Sequence, residues 1–282
     1  MPGRISQRVY MQTRQLLQKR ETLQKSVVEM ADAHCHLSIL SDPAVIRDAV
    51  LYGVSTIITD GVDTPSNIKT LEIADNKNVF GAVGVDPEHA LAMDESAFER
   101  EIEFNIGLAR QSIDRIVAIG EIGLDYSIGG GPRNIARQKK VFGRFIDLAD
   151  ELKLPVSVHA RNAIDDVLDF LAEKDAKRVH LHFFEGGVEE ARAVLKRGYM
   201  ISVPPIESSK RKRVIAMMPI ENLMAESDSP VVGQSPKSVE KSIRYIAGIK
   251  KMPFEQVAEA LVANTKRFFG VDTKDGIKMM RY

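Results

Sequence analysis

Eight short apolar runs recur along this chain, and longer stretches with helical spacing of apolar residues separate them. The runs cover residues 30–36, 55–61, 79–85, 116–124, 155–159, 178–183, 199–203 and 223–227. Runs of this length, rich in Val and Ile, read as buried strands, and segments such as 44–52 and 137–152 read as amphipathic helices. Pro43, Pro65 and Pro132 fall near the starts of helical segments, where a missing N–H is tolerated. Strands that alternate with helices pair in parallel through right-handed crossovers. Eight such repeats in roughly 250 residues are the content of a (β/α)8 TIM barrel. The competing doubly wound sheet would carry a GxGxxG turn between a strand and a helix, and none is present.

Length and composition agree with one large barrel. The chain has 282 residues, 44% hydrophobic and 28% charged, which is enough apolar material for a sizeable core. It has no run of about 18 apolar residues, so no spanning helix and no membrane partner are expected. Lys plus Arg equals Asp plus Glu at 39 each, which excludes a nucleic-acid binder that is basic over its whole surface. A local patch remains, the run Lys210-Arg211-Lys212-Arg213 after the seventh strand, placed to steer a phosphate backbone. The single cysteine, Cys35, cannot form an internal disulfide, and a reducing, cytoplasmic setting fits. Strand alternation turns it away from the neighbouring histidines, towards packing.

Residues 1–30 differ from the rest. Ile5, Val9, Leu16, Leu23 and Val27 share a helical stripe, and no acid precedes Glu21. Targeting peptides have a similar look, but the many glutamines, with Glu21 and Glu29, point elsewhere. The expectation is an additional N-terminal helix over 1–30, packed on the barrel (31–282) or on a second subunit as a route to a homo-oligomer.

Active sites of such barrels lie at the C-terminal ends of the strands, and metal-type residues gather there. The first run closes Asp32-Ala33-His34-Cys35-His36, which puts Asp32, His34 and His36 on one face. Glu121 interrupts the apolar fourth strand, where a buried carboxylate needs a cation or a hydrogen-bond network. His159 closes the fifth run, His180 and His182 stand in the sixth, and Glu226 and Asp228 stand at the end of the eighth. A ring of such residues at one end of a barrel points to a metal site.

The stretches ADAHCHL, GEIGLDY, LPVSVHARN, HLHFFEGG, AESDSP and the late NTKRFF come in the order found in the TatD family of metal-dependent hydrolases, which this sequence resembles over 30–270. The resemblance implies two divalent metal ions. His34 and His36 would bind one with Asp228, His159 and His182 would bind the other, and Glu121 would bridge both. The family's His-x-Phe-x-Gly pattern selects His182 over His180, which sits ~6.6 Å deeper along its strand. Zinc, magnesium and manganese are the candidate ions; imidazole favours zinc or manganese, and magnesium prefers oxygen.

A metal-bound hydroxide is the implied nucleophile, with Asp228 and Glu121 as catalytic groups and Asp228 accepting the proton. Arg161 is a candidate phosphate clamp. The family commonly carries Gly-x-His-Pro-His after the third strand; here Gly84-Val85-Asp86-Pro87-Glu88-His89 puts Asp86 and Glu88 on the substrate side. The leading expectation is a phosphodiesterase, a deoxyribonuclease acting on a nucleic-acid or other phosphate-ester substrate. The alternative is a deacylase of acyl esters or amides, such as misacylated tRNA, with Asp86 and Glu88 facing an amino group. A non-catalytic binding protein stands third.

Overall fold

The structure is a computed structural model and describes residues 27–40 and 42–271. The expected N-terminal helix, and any oligomer contact through it, fall almost wholly outside the described residues.

Eight strands form one parallel sheet in sequential order: β1 (Met30–Cys35), β2 (Val54–Asp60), β3 (Val79–Val83), β4 (Ile116–Asp125), β5 (Val156–Arg161), β6 (Val179–Leu181), β7 (Met200–Val203) and β8 (Leu223–Ala225). The TIM barrel read from the apolar runs is the fold observed. The sheet curls until β8 lies beside β1, where Asp228 N donates to His34 O (3.1 Å) and His36 N donates to Ser229 O (2.7 Å). These two bonds place the acid of the last strand against the histidines of the first.

Among the described residues, ten α-helices connect and cover the strands: α1 (Ala44–Tyr52), α2 (Thr64–Ile73), α3 (Pro87–Ala92), α4 (Phe98–Gln111), α5 (Pro132–Leu152), α6 (Ile164–Glu173), α7 (Val188–Lys196), α8 (Ser209–Met217), α9 (Val239–Lys250) and α10 (Phe254–Phe269). Several begin on capping side chains that satisfy otherwise unpaired N–H groups. Asp63 caps α2 by accepting from Ser66 N, Asp86 caps α3 by accepting from His89 N, and Ser208 caps α8 by accepting from Arg211 N.

The main core lies between barrel and helices, where Phe142 and Phe145 of α5 and Leu171 of α6 join Ile57, Ile119 and Ile122. Cys35 is buried in this layer, with its thiol directed at Ile58 O. A smaller cluster, Ile58, Phe80, Ala82, Met200 and Met224, is closed by Phe269 and Val271. Ile58, Met200 and Met224 stand two residues before Asp60, Ser202 and Glu226, so strand alternation sends all six to the barrel interior. Apolar residues thus fill the lower barrel and polar ones gather above them.

Candidate metal centre

Glu121 stands at the middle of the polar cluster. Its Oε2 lies 3.4 Å from His34 Nε2 and 3.3 Å from His36 Nε2. Its Oε1 lies 2.9 Å from His159 Nδ1 and 3.1 Å from His182 Nε2. Each oxygen of one carboxylate therefore faces its own pair of histidines. Asp228 completes the first side, with Oδ1 3.6 Å from His36 Nε2 and 3.9 Å from His34 Nε2. All six residues singled out from the sequence meet at one end of the barrel.

Local backbone form brings them there. Phe183 (φ 44°) and Asp228 (φ 46°) take left-handed conformations that end the extended runs just beyond His182 and at Asp228 itself. A non-glycine residue in that region is held by its surroundings. Gly123 (φ 146°) lies where β4 meets β5, and a Cβ there would fall inside the contact distance of His159 O. The close approach lets Glu121 and His159 face each other.

Asp60 and Asp125 stand behind three of the four histidines, through a carboxylate or a backbone carbonyl, and orient them. His34 Nδ1 lies 3.1 Å from Asp60 Oδ2, His36 Nδ1 lies 3.1 Å from Asp60 O, and His159 Nε2 lies 3.2 Å from Asp125 Oδ2. Such partners fix the ring orientation and leave the opposite nitrogen free to ligate. Asp125 is held in turn by Ser127, whose N–H and hydroxyl both donate to Oδ1. Gln138 of α5 pins its backbone, accepting from Asp125 N and donating to Asp125 O. Sequence reasoning passed over Asp60, Asp125 and Gln138, although Asp60 and Asp125 each close a strand and an acid there is the available signal.

The electrostatics call for positive charge. Burial works against protonating His34, yet Asp60 and Glu121 outweigh it and raise its pKa well above the usual histidine value. Burial is likewise overcome at His159, which Asp125 and Glu121 lift to about 10. His34 Nε2 and His36 Nε2 are 3.2 Å apart, as are His159 Nδ1 and His182 Nε2. Two imidazole nitrogens so close, both facing a carboxylate oxygen, need a shared proton or cation to offset lone-pair repulsion. No Lys or Arg makes an ion pair with Glu121 or Asp228 among the described residues. His34, His36 and Glu121 form one group able to hold an ion, and Glu121, His159 and His182 form another. This nitrogen and oxygen donor set fits divalent cations.

Comparison with known proteins points the same way. The family model described as TatD related DNase matches residues 31–270. The chain belongs to the TatD family. Among its relatives, the human "Deoxyribonuclease TATDN3" is 30% identical over 262 residues, covering 86% of this chain and 95% of that protein. The "Uncharacterized metal-dependent hydrolase MJ1582" of Methanocaldococcus jannaschii is 32% identical over 256 residues, covering 86% and 97%. The crystal structure of YjjV, a TatD homolog from Escherichia coli K12, has the same fold, with a TM-score of 0.76, 24% identity, and coverage of 87% of this chain and 100% of that one.

In this TatD-family chain, residues expected on the substrate side take varied positions. Arg161 ends β5 exposed and makes no ion pair among the described residues. Asp86 is occupied as the cap of α3 and by His89 Nδ1 at 2.7 Å, while Glu88 is exposed in that helix's first turn. His180 lies deeper, its Nε2 2.7 Å from Ser202 Oγ, whose hydroxyl donates to the buried Glu226. Asp32 is buried too; burial pushes it up to about 7, while Ser227 donates to it through both N–H and hydroxyl.

Proposed function

We propose that this TatD-family protein is a phosphodiesterase of the deoxyribonuclease type whose site holds two divalent metal ions. The observation that carries the proposal is the division of Glu121, with Oε2 towards His34 and His36 and Oε1 towards His159 and His182. A carboxylate shared in this way suits a bridging ligand, with Asp228 as a further ligand beside His34 and His36. Bound there, such ions would acidify a water molecule and neutralise charge that develops on the phosphate oxygens.

The chain's own residues divide the remaining work. Asp228, nearly buried beside His34 and His36, would take the proton of the attacking water. Asp60 and Asp125 hold the imidazoles in register. A nucleic-acid substrate is supported by the rim: Lys210, Lys212 and Arg213 of α8 are exposed beyond β7. Ile39, Ile128, Ile206 and Val231, all exposed, follow β1, β4, β7 and β8 and offer apolar surface to nucleobases. No helix among the described residues is long and apolar enough to cross a membrane. A cytoplasmic setting suits the buried, free Cys35.

Single-stranded DNA should be cleaved in the presence of magnesium, manganese or zinc, with two ions per chain by elemental analysis. His34→Ala and Asp228→Asn should each abolish cleavage, and undiminished activity in either overturns the proposal. The deacylase reading relied on Asp86 and Glu88 as partners for an amino group. Because Asp86 is engaged by His89 and its helix, the phosphodiester reading is preferred, and parallel turnover on DNA and aminoacyl-tRNA separates the two. A metal-free protein inert to every ester would return it to the class of binding proteins.

A further inference from the structure

We propose that Arg211 is the residue that grips the substrate phosphate at the mouth of the barrel, through the Nε–Nη2 edge of its guanidinium. The proposal deepens the phosphodiester reading and rests on it for the identity of the ligand. Arg211 lies in the first turn of α8, directly beyond the C-terminal end of β7. Its guanidinium carbon is 5.2 Å from the ring centroid of Phe183, the residue that follows His182. The cation is thereby stacked beside the metal-type cluster.

The hydrogen bonds of Arg211 are lopsided. Nη1 donates to Ile206 O at 2.6 Å, while Nε is buried and has no partner. No carboxylate lies within ion-pair distance among the described residues, and no bond from Nη2 is made there. In a guanidinium, Nε–H and one Nη2–H point the same way and form the side-on fork that matches two oxygens of a phosphate. That fork is the edge left without a partner. A partly buried cation with unpaired donors is costly unless an anion arrives to meet it. Burial disfavours its charge, and Glu226 and Glu185 attract it without pairing to it. Glu226 belongs to the cluster, with Oε2 4.0 Å from His182 Nδ1.

A purely structural role explains these facts less well. The loop between β7 and α8 is already fastened, since Ser208 caps the helix and Tyr245 OH both accepts from Ser208 N and donates to Ser208 O. Lys210, Lys212 and Arg213 on the same turns are exposed and show none of this enclosure.

Inorganic phosphate serves as the probe, titrated calorimetrically into the metal-loaded full-length protein and tested as an inhibitor of oligonucleotide cleavage. A charged hydrogen bond contributes about 1.5–3 kcal/mol, so Arg211→Gln should weaken phosphate binding and raise KM by roughly 10- to 100-fold. The rise in KM should exceed the fall in kcat, with metal content and Tm unchanged. Arg211→Lys should recover only part of the affinity, because an ammonium lacks the fork. Unchanged phosphate affinity in Arg211→Gln overturns the proposal, as does full recovery in Arg211→Lys. If the unaltered protein binds phosphate through Arg211 yet cuts no DNA, the phosphodiester reading fails and the anion site stands. If DNA is cut with KM and phosphate affinity indifferent to Arg211, the site fails alone.

Discussion

Asp125 shows how much of this centre depends on residues that need touch no ion. Its carboxylate spans His159 Nε2 on one oxygen and Ser127 on the other, and although burial opposes its charge, these partners lower it to about 2. Asp125→Asn should keep the fold and lower metal affinity or turnover by about 10- to 100-fold, measured by metal titration beside activity. His89 carries a separate expectation. Asp86, with Asp63 and Glu88 adding charge, raises its pKa above the usual histidine value against partial burial. Its folded pKa therefore exceeds the unfolded one. The stabilisation is complete below about pH 6.5 and is lost as pH rises through the folded value. With the His89 side chain 36% exposed, solvent screening limits the effect to about 1 kcal/mol or less. Proton NMR titration of the ring should show the raised pKa, and His89→Gln should narrow the stability difference between pH 6 and pH 9.

At the level of elements, β4 and α5 act as one unit. β4 supplies Glu121 and Asp125, and α5 supplies Gln138 to hold the backbone of Asp125. Gly123 must stay free of a side chain for β4 to approach β5. Gly123→Ala would add backbone strain to a clash with His159 O, a cost of about 2–5 kcal/mol in urea unfolding. His159 should shift with it, so metal affinity falls as well. Phe142→Ala, in the layer between α5 and the barrel, should cost about 3–5 kcal/mol with little direct effect on the ligands. Comparing the two variants by unfolding and metal titration separates a packing loss from a positional one.

Over the whole molecule, the candidate ligands of β1, β4, β5, the turn after β6 and the turn after β8 converge at one mouth, so an ion held there would tie distant parts of the barrel together. Chelation should lower Tm, and restoring the ion should reverse the loss. At a free ion concentration of 100 times Kd, the linkage is worth about 2.7 kcal/mol. A melt that ignores EDTA would argue against resident cations. Basic and apolar groups share the rim with the site, so substrate affinity should fall as salt rises while metal content holds steady.

Apolar runs of strand length, with histidines and acids in or near them, are local signals that set the barrel and a ring of candidates including Asp32, His180 and Glu226; the resemblance to the TatD family narrowed that ring to six. Strand alternation also sent Cys35 to the packing layer, where it lies. Other features depended on approach between distant segments. Asp86 precedes a proline at a helix start, and its engagement by His89 appears once the turn is formed. Arg161 ends one barrel strand and Arg211 follows another in sequence, yet the first is exposed and the second lies against Phe183. Asp60 and Asp125 are ordinary strand-end acids until β1 and β5 bring His34 and His159 beside them. Periodicity along a strand says which side a residue faces; only the closed barrel says what it faces there.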